Sequence, residues 1–344
     1  MAKKIQVAIL GCGQNAKKHL DAIEHCAESI ELKAVCDLNA ERLVQFSSRG
    51  VVTFSSLDEL LLSRDIDLVV VCTPSGLHAE QVIKIANAKK HVICEKPLAI
   101  EYADAKKMVQ ACRENGVQLF TVKQMRYLPI MQAIKRAIEQ GRFGKIYLAT
   151  SNIFWTRPQH YYDEASWRGT KKFDGGALMN QASHYVDLLC WFMGDLQSVQ
   201  ARSATLARNI EMEDTSVLNL EFQSGAFGSF AVTMLTYPKN IETSITILGE
   251  RGTINIGGVA LDEVVHWQFA DEQPSDADIQ NICKIDGSVA AYCMRLYYQA
   301  VIDSMQNDKK TKVIDGAEGL KSLECISAAY KSAQTGSLVL LPLT

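Results

Sequence analysis

The stretch IQVAILGCGQNA, residues 5–16, decides the fold of this chain. Its first half is an apolar run of strand length, and Gly11, Gly13 and Ala16 follow in the pattern G-x-G-x-x-A ahead of helix-compatible sequence. In this context Gly11 permits a tight turn, Gly13 lets a pyrophosphate approach the backbone, and Ala16 lets helix and strand pack closely. The helix start adds unpaired N–H groups for phosphates. The stretch therefore predicts the first βα unit of a dinucleotide-binding sheet.

An acidic residue after the next strand supports this prediction. Residues 32–36 form a second apolar run, and Asp37 follows it twenty-one positions after Ala16. A carboxylate at about this spacing binds the ribose diol of a dinucleotide and repels a 2′-phosphate, which favours NAD over NADP. Arg42 would weaken that preference. The alternative is that Asp37 only caps the helix that begins near residue 39.

Further apolar runs alternate with helical segments up to Gln124, which predicts a doubly wound parallel sheet. The run at residues 91–94 ends abruptly in Glu95, Lys96 and Pro97. Proline cannot continue a strand, and ligands of open parallel sheets bind at the carboxyl ends of strands. This position predicts a functional site that contains Glu95 and Lys96. The alternative is an ordinary surface ion pair.

The pattern changes after Gln124. Short alternating runs between residues 199 and 268 predict an antiparallel sheet with hairpin turns. The other predicted elements of this part are a long strand at 146–154 and helices at 129–140, 177–193, 290–305 and 316–333. We therefore predict two domains, an NAD-binding Rossmann domain at residues 1–124 and a substrate and oligomerisation domain at residues 125–344.

Two features of the second part suggest a binding site. The segment WTRPQHYYDEASWR, residues 155–168, holds two tryptophans, two tyrosines and two arginines. Aromatic rings stack on bases and arginines form paired hydrogen bonds with phosphates or carboxylates, although aromatic packing between helix and sheet is the alternative. Gly175 and Gly176 precede a predicted helix on which Asn180 and His184 lie one turn apart. A helical histidine is more often structural, but this arrangement favours a catalytic one.

Composition excludes several classes of protein. The 344 residues carry 36 basic and 39 acidic side chains, a net charge of -3, which argues against a nucleic-acid-binding or membrane-binding surface. The ten cysteines contain no C-x-x-C pair and are interpreted as buried thiols of a cytoplasmic protein. We expect no metal site, because no zinc-ligand spacing occurs.

These motifs together resemble those of the Gfo/Idh/MocA oxidoreductases. The resemblance rests on G-x-G-x-x-A, Asp37, TPSGLH at residues 73–78, Glu95-Lys96-Pro97 and the helical His184, and it covers essentially the whole chain. It implies a Rossmann domain followed by an α/β domain with a large, mostly antiparallel sheet. It also implies an NAD or NADP cofactor and catalytic roles for the motif lysine and the helical histidine.

A narrower resemblance is to the UDP-N-acetylglucosaminuronate 3-dehydrogenases of bacterial surface-polysaccharide synthesis. It is carried by residues 154–184 and by DGAEGLKSL at residues 315–323 with the final LPL. Two departures from the wider family pattern are Asn180, where many members carry aspartate, and the basic pair at residues 171–172. The resemblance implies oxidation at C3 of a UDP-linked N-acetylated uronic acid by an NAD-dependent, tetrameric enzyme of lipopolysaccharide or O-antigen sugar synthesis.

The expected site residues fall into three groups. We expect catalysis from Lys96, His184 and Asn180. We expect cofactor binding by Gly11, Gly13, Gln14, Asn15, Ala16, Asp37, Thr73, Pro74, His78, Glu95, Lys96, Pro97, Gln124, Trp167 and Arg168. We expect substrate binding by Lys96, Arg126, Arg157, Tyr161, Trp167, Arg168, Asn180 and His184.

The chemistry of alcohol oxidation assigns roles within these groups. Bound NAD⁺ accepts the hydride. His184 suits the base that removes the hydroxyl proton, because its unperturbed pKa lies near neutrality. Lys96 suits a donor to the same oxygen, where it stabilises developing negative charge. Three alternatives remain open: a dehydrogenase of a free polyol such as inositol, an NAD-dependent glycosidase, and a nucleotide sensor without turnover.

Overall fold

The computed structural model describes residues 3–285, 287–306 and 313–343. Strands and helices alternate strictly in the first part of the chain. Its elements are β1 (Ile5–Leu10), α1 (Gln14–His25), β2 (Ile30–Cys36), α2 (Ala40–Ser47), β3 (Val52–Phe54), α3 (Leu57–Leu61), β4 (Leu68–Val71), α4 (His78–Asn87), β5 (His91–Cys94), α5 (Tyr102–Glu114) and β6 (Leu119–Thr121).

The rest of the described chain contains the eight strands of a second sheet and six α-helices. Its elements are α6 (Pro129–Glu139), β7 (Ile146–Phe154), α7 (Gln159–Asp163), α8 (Ser183–Met193), β8 (Leu196–Ala204), β9 (Thr215–Phe222), β10 (Phe227–Thr233), β11 (Glu242–Gly249), β12 (Gly252–Gly257), β13 (Glu263–Phe269), α9 (Ile279–Ile282), α10 (Val289–Gln306), α11 (Gly316–Thr335) and β14 (Val339–Leu340).

The first sheet is parallel throughout, in the order β3-β2-β1-β4-β5-β6. The central strand β4 is fully apolar and buried on both faces, and its neighbour β1 is apolar except for Gln6. The order reverses between β1 and β4, so their carboxyl ends border the crevice where such folds bind ligands. The register pairs Leu10 with Val71 and Val71 with Cys94, which brings the segments after these strands to one edge.

The chain divides into two compact units. One contains the described residues of 1–124 and 287–320, and the other contains those of 125–286 and 321–344. Residues 287–320 were predicted to belong to the second domain, whereas they pack with the first unit. The physical reason is the apolar stripe of α10, including Tyr297, Tyr298 and Val301, which is buried as α10 packs on α1. Sequence periodicity reveals such a stripe but not its partner.

The second unit contains an eight-stranded sheet in the order β13-β12-β11-β7-β10-β9-β8-β14. All neighbouring strands are antiparallel except β7 and β10, which are parallel. One face is apolar and buried, with Leu218, Phe230 and Ile153 among its side chains. The register aligns Val217 with Ala231, and Phe227 with Leu148, on the opposite and more exposed face.

The predicted helix at residues 177–193 is two helices of different kind. Ala177–Gln181 form a π-helical turn, with the Ala182 N–H donating to the Ala177 carbonyl at 2.9 Å, and α8 begins only at Ser183. The prediction of one continuous α-helix was therefore wrong. None of the helices in the described ranges has the length and apolarity needed to cross a lipid bilayer.

Candidate active site

The glycine turn after β1 has the geometry that its sequence predicted. Gly11 has a φ of 92°, and a Cβ there would lie 2.9 Å from the backbone of Cys72 and Thr73, because the ends of β1 and β4 approach closely. A Cβ at Gly13 would meet nothing within 4 Å, so this residue borders open space. Gly13 caps α1 without a side-chain hydrogen bond. Gln14, Asn15 and Ala16 form the first turn of α1, and this uncapped helix start fits a pyrophosphate.

Asp37 joins the glycine turn to the end of β2. Its Oδ2 accepts the Cys12 N–H at 2.7 Å, and its Oδ1 accepts the Asn39 N–H at 2.8 Å. Arg42 Nη1 lies 3.5 Å from Oδ2. Asn39, not Asp37, caps α2 through its side chain. The carboxylate therefore lies beside the glycine turn, where a ribose diol is expected, and it also stabilises the turn.

His78 connects the segments that follow β4 and β5. Its Nε2 lies 2.9 Å from the Thr73 carbonyl, and its Nδ1 lies 3.0 Å from the Pro97 carbonyl. The ring is buried, and burial lowers its pKa against the opposing effect of these carbonyls. Both ring nitrogens face backbone oxygens, so the structure gives His78 a positioning role. Thr73 donates to Gln81 at 2.5 Å, and Pro74 follows it before α4.

Glu95 faces the interior of the first unit. Its Oε1 lies 3.0 Å from Nε2 of the fully buried His19, whose Nδ1 lies 2.8 Å from the Tyr298 hydroxyl. Burial would raise the pKa of Glu95, but the hydrogen bond and charge of His19, with Lys96 and Lys18, hold it at about 2. Glu95 Oε2 accepts the Lys96 N–H at 3.1 Å. Glu95 is thus a buried carboxylate that positions the backbone of Lys96.

Lys96 is half-buried at the carboxyl edge of the parallel sheet. Gly11, Thr73 and Pro97 follow neighbouring strands at the same edge. Gln124 begins the short helical turn that follows β6. The structure therefore brings the predicted residues of the first unit together around one edge.

The aromatic and basic residues of the second unit also form one cluster. The Arg157 guanidinium lies over Trp155 at 5.1 Å and over Tyr161 at 5.4 Å, and it donates from Nε to Gln181 at 3.2 Å. Gln181 donates to the Tyr161 hydroxyl at 3.0 Å. The Arg168 guanidinium covers the ring of Tyr161 at 4.3 Å. These contacts hold two cations in fixed planes, an arrangement suited to carboxylates and phosphates.

Arg168 also donates to the Tyr161 carbonyl at 2.6 Å and to Glu164 at 2.5 Å. Trp167 lies beside it, with the Arg168 guanidinium 5.8 Å from the indole ring. The sequence placed Trp167 and Arg168 with both cofactor and substrate. The structure shows them as part of the cluster around Tyr161.

The π-helical turn presents Asn180 directly before α8. Asn180 donates from Nδ2 to the buried Asp174, whose other oxygen accepts the Gly169 N–H at 2.6 Å. His184 is half-buried in the first turn of α8. Single-turn π segments occur often at functional sites. Asp174 therefore links Asn180 to Gly169, which directly follows Arg168 of the aromatic and basic cluster.

Arg126 has a different environment from the one that its predicted role requires. It is 5% exposed and binds Asp187 of α8 with two parallel hydrogen bonds of 2.7 and 2.8 Å. Its guanidinium also lies 5.3 Å from the centre of the Trp191 ring. Arg126 thus binds α8, the helix that carries His184, and its predicted contact with substrate stays a prediction.

Several functional candidates escaped the sequence reasoning. His19, Asp174 and Gln181 form hydrogen bonds with the predicted residues Glu95, Asn180 and Arg157. Tyr298 contacts His19, and the buried Glu213 binds the Leu178 N–H in the turn before His184. Most of these contacts join distant parts of the chain, so no short motif contains both partners; Asp174 is the exception, because it lies six residues before Asn180. The described ranges contain no group of three or more histidine, cysteine, aspartate or glutamate residues that could hold a metal ion.

Comparison with protein families matches both parts of the chain. A model described as the oxidoreductase family, NAD-binding Rossmann fold, matches residues 5–123. A second, described as the oxidoreductase family, C-terminal alpha/beta domain, matches residues 135–341. The predicted NAD cofactor and the predicted fold class are confirmed.

Three known proteins illustrate the relationship. The WlbA dehydrogenase from Bordetella pertussis, crystallised with NADH and UDP-GlcNAcA, is 49% identical, with a TM-score of 0.97 over 100% of this chain and 99% of that one. The WlbA enzyme from Chromobacterium violaceum, in a complex with the same two molecules, is 48% identical, with a TM-score of 0.95 over 100% and 98%.

A more distant relative is the 2,7-anhydro-N-acetylneuraminate hydratase of Escherichia coli. It is 30% identical over 70% of this chain and 67% of the relative. The two family models together cover nearly the whole sequence, at residues 5–123 and 135–341. The chain therefore belongs to the Gfo/Idh/MocA family of oxidoreductases.

Proposed function

We propose that this protein is an NAD-dependent dehydrogenase that oxidises the C3 hydroxyl of a UDP-linked N-acetylglucosaminuronate to a ketone. The observation that carries the proposal is the likeness along the entire chain, at 48–49% identity, to two dehydrogenases crystallised with NADH and UDP-GlcNAcA. The arginine and aromatic cluster around Tyr161 supports it, because a UDP-uronate offers a carboxylate, a diphosphate and a flat base.

The cofactor residues of the first unit fit NAD. The uncapped start of α1 and the open space at Gly13 suit the pyrophosphate. Asp37 suits the ribose diol, and its carboxylate disfavours a 2′-phosphate. Bound NAD⁺ supplies the hydride acceptor for the reaction.

The chain's own residues supply proton transfer and charge stabilisation. His184 accepts the proton of the reacting hydroxyl. Lys96 donates a hydrogen bond to the same oxygen and stabilises the negative charge that develops there. Asn180, whose amide is oriented by Asp174, holds a substrate hydroxyl. Arg157, Tyr161 and Arg168 bind the acidic groups of the substrate, with Trp167 beside them.

The same proposal extends to assembly and cellular context. We infer a homo-tetramer that pairs through the exposed face of the eight-stranded sheet, where Phe227 is 61% and Val217 50% exposed. The ten free cysteines support a reducing, cytoplasmic location. A 3-keto sugar nucleotide suits later amination, which places the reaction in the synthesis of surface-polysaccharide sugars such as those of lipopolysaccharide O-antigen.

The test is oxidation of defined substrates. Purified protein and NAD⁺ are mixed with UDP-GlcNAcA, UDP-GlcNAc or myo-inositol, and reduced nicotinamide is followed by absorbance. The product is then reduced with borodeuteride and analysed by mass spectrometry and NMR. Among the three candidates, we expect only UDP-GlcNAcA to be oxidised, and we expect its reduced product to carry deuterium at C3. Turnover with inositol, or deuterium at another carbon, would contradict the proposal.

A further inference from the structure

Glu213 is a buried acid that the proposed mechanism does not use. It lies two residues before β9 and is 5% exposed. Its Oε1 accepts two hydrogen bonds, from the Leu178 N–H at 2.9 Å and from the Tyr330 hydroxyl of α11 at 3.0 Å. Its backbone carbonyl accepts the Ala177 N–H at 2.9 Å. One residue therefore binds the first two amides of the π-helical turn.

The second carboxylate oxygen of Glu213, Oε2, explains why residue 176 is a glycine. A Cβ on Gly176 would lie 1.9 Å from Oε2 of Glu213, so no side chain fits between the turn and the carboxylate. Gly176 has a φ of -101°, which any residue adopts. The glycine is therefore required by the contact with Glu213 and not by its backbone conformation.

The turn that Glu213 binds leads directly to the proposed catalytic residues. Its internal hydrogen bonds are Asn180 N–H to the Gly176 carbonyl at 3.0 Å and Ala182 N–H to the Ala177 carbonyl at 2.9 Å. The anchored positions, 176–178, are thus bonded to Asn180 and to the residue before α8. A shift of the turn at its start is transmitted to Asn180 and His184.

We propose that Glu213 and Tyr330 are positioning residues that hold the π-helical turn at residues 177–181, and thereby place Asn180 and His184 for hydride transfer. This inference rests on the catalytic roles proposed above for Asn180 and His184. It adds Glu213, just before β9, and Tyr330, on α11, as residues that act on the turn and not on the substrate or cofactor.

The charge of Glu213 makes the hydrogen bonds that it accepts from Leu178 and Tyr330 depend on pH. Burial raises the pKa of Glu213 to about 7, opposed by the hydrogen bonds from Leu178 and Tyr330, and the neighbouring Asp214 raises it further. Burial keeps Tyr330 protonated, because its pKa lies well above the usual value. The Glu213 carboxylate thus gains its negative charge near neutrality, and a charged acceptor forms stronger hydrogen bonds than a neutral one.

The first experiment measures the turn itself. Amide hydrogen exchange of peptides that cover residues 176–182 is compared in the wild type, Glu213→Leu, Glu213→Gln and Tyr330→Phe. Leucine removes the acceptor, and we expect about tenfold faster exchange at Leu178. Glutamine keeps an oxygen at the Oε1 position and should largely restore protection. The matched control is Glu211→Gln, an exposed acid of the same loop that accepts the Lys171 N–H instead.

A variant of the turn tests the same contact from the other side. Gly176→Ala introduces the methyl group that would press on Oε2, without removing any polar group. We expect it to resemble Glu213→Leu in exchange and in turnover. Unchanged exchange at residues 176–182 in both Glu213→Leu and Gly176→Ala overturns the proposal, whatever the activity.

The second experiment measures the consequence for catalysis. With UDP-GlcNAcA and saturating NAD⁺, Glu213→Leu should lower kcat by about 10- to 100-fold, because small misplacements of catalytic groups cost this much. The Kd for NAD⁺ should stay within a few fold. The ratio of kcat between the wild type and Glu213→Gln should rise from pH 6 to pH 8, because only the wild type gains a charged acceptor over this range. A flat ratio together with wild-type kcat in Glu213→Leu overturns the proposal.

A third readout separates this inference from the proposed function. The ring resonances of His184, assigned with His184→Asn, are titrated by NMR in the wild type and in Glu213→Leu. We expect a changed shift and titration midpoint in the variant. If the wild type oxidises no UDP-sugar, the proposed function fails, and the exchange and NMR results still decide on positioning. Identical His184 resonances in the two proteins overturn it.

Discussion

The buried contact between His19 and Glu95 allows a quantitative prediction about the first unit. Replacing His19 with leucine removes the partner 3.0 Å from Glu95 Oε1 and leaves the carboxylate at 6% exposure. It also removes the partner of the Tyr298 hydroxyl. The informative comparison is therefore Tyr298→Phe with the double variant His19→Leu/Tyr298→Phe, because that background leaves only Glu95 affected.

The magnitude follows from the pKa of Glu95. A decrease from 4.5 to about 2 corresponds to about 3 kcal/mol, at roughly 1.4 kcal/mol per pKa unit. A carboxyl group with a lowered pKa adds stability that is present above pH 4.5 and is lost as the pH falls through 2. His19 is the main cause of this decrease, ahead of Lys96 and Lys18. At pH 7 the double variant should therefore be on the order of 3 kcal/mol less stable than Tyr298→Phe, in line with the cost of leaving a buried charged group without a hydrogen-bond partner.

The assay is urea denaturation at several pH values. Far-UV circular dichroism reports on all helices, while fluorescence reports on the second unit, because the four tryptophans all lie in residues 155–267. The difference in unfolding free energy between the two proteins should be largest near pH 7 and should shrink below pH 4.5. Equal stabilities at pH 7, or a difference that grows on acidification, would refute this account of Glu95.

The remaining predictions concern cofactor, chemistry, stability and assembly. Asp37→Ala should narrow the preference for NAD⁺ over NADP⁺, measured as the ratio of the two Kd values; tighter NADP⁺ binding by the wild type would show the assignment to be wrong. Lys96→Ala and His184→Asn should each lower kcat by about 10²–10⁴, and by less than the product when combined, since both act on one oxygen; near-normal turnover in either excludes that residue. Because the pKa of Glu213 is raised, this residue adds stability that is fully present below pH 4.5 and is lost as the pH rises through about 7. The unfolding free energy of Glu213→Gln should therefore rise by about 3 kcal/mol relative to that of the wild type between pH 4 and pH 8. A difference in unfolding free energy that does not change with pH in urea denaturation would contradict this. Phe227→Glu should convert the proposed tetramer to smaller species in sedimentation velocity, and a wild-type monomer at micromolar concentration would count against the assembly.

The sequence predicted the first sheet closely because its signals are local. The bounds of β1 and β5 match the apolar runs from which they were predicted, and β2 begins two residues before its predicted run. Apolar runs, glycine turns and helical periodicity each depend on residues that are close together in the sequence. The second sheet was predicted in kind, but the parallel pairing of β7 with β10 was not, since pairing between distant strands leaves no local pattern.

The candidate site shows the same division. Lys96 and His184 were predicted from their motifs and their roles stay predictions, whereas the hydrogen-bond partners of Glu95, His78 and Arg126 became visible only in the structure. Glu95 faces His19, His78 joins two backbone carbonyls, and Arg126 binds Asp187. Each of these side chains carries the charge or polarity that suggested a ligand, and burial directs that polarity to the protein itself.

Short spacings along the chain were enough to predict the family, the glycine turn with Asp37, and the residue types available for alcohol oxidation. Three features became visible only in the folded chain: residues 287–320 pack with the first unit, a π-helical turn precedes His184, and Glu213 and Tyr330 bind that turn. The physical reason is that buried hydrogen bonds and apolar contacts join residues far apart in the chain, and their partners are set by the packing of whole elements.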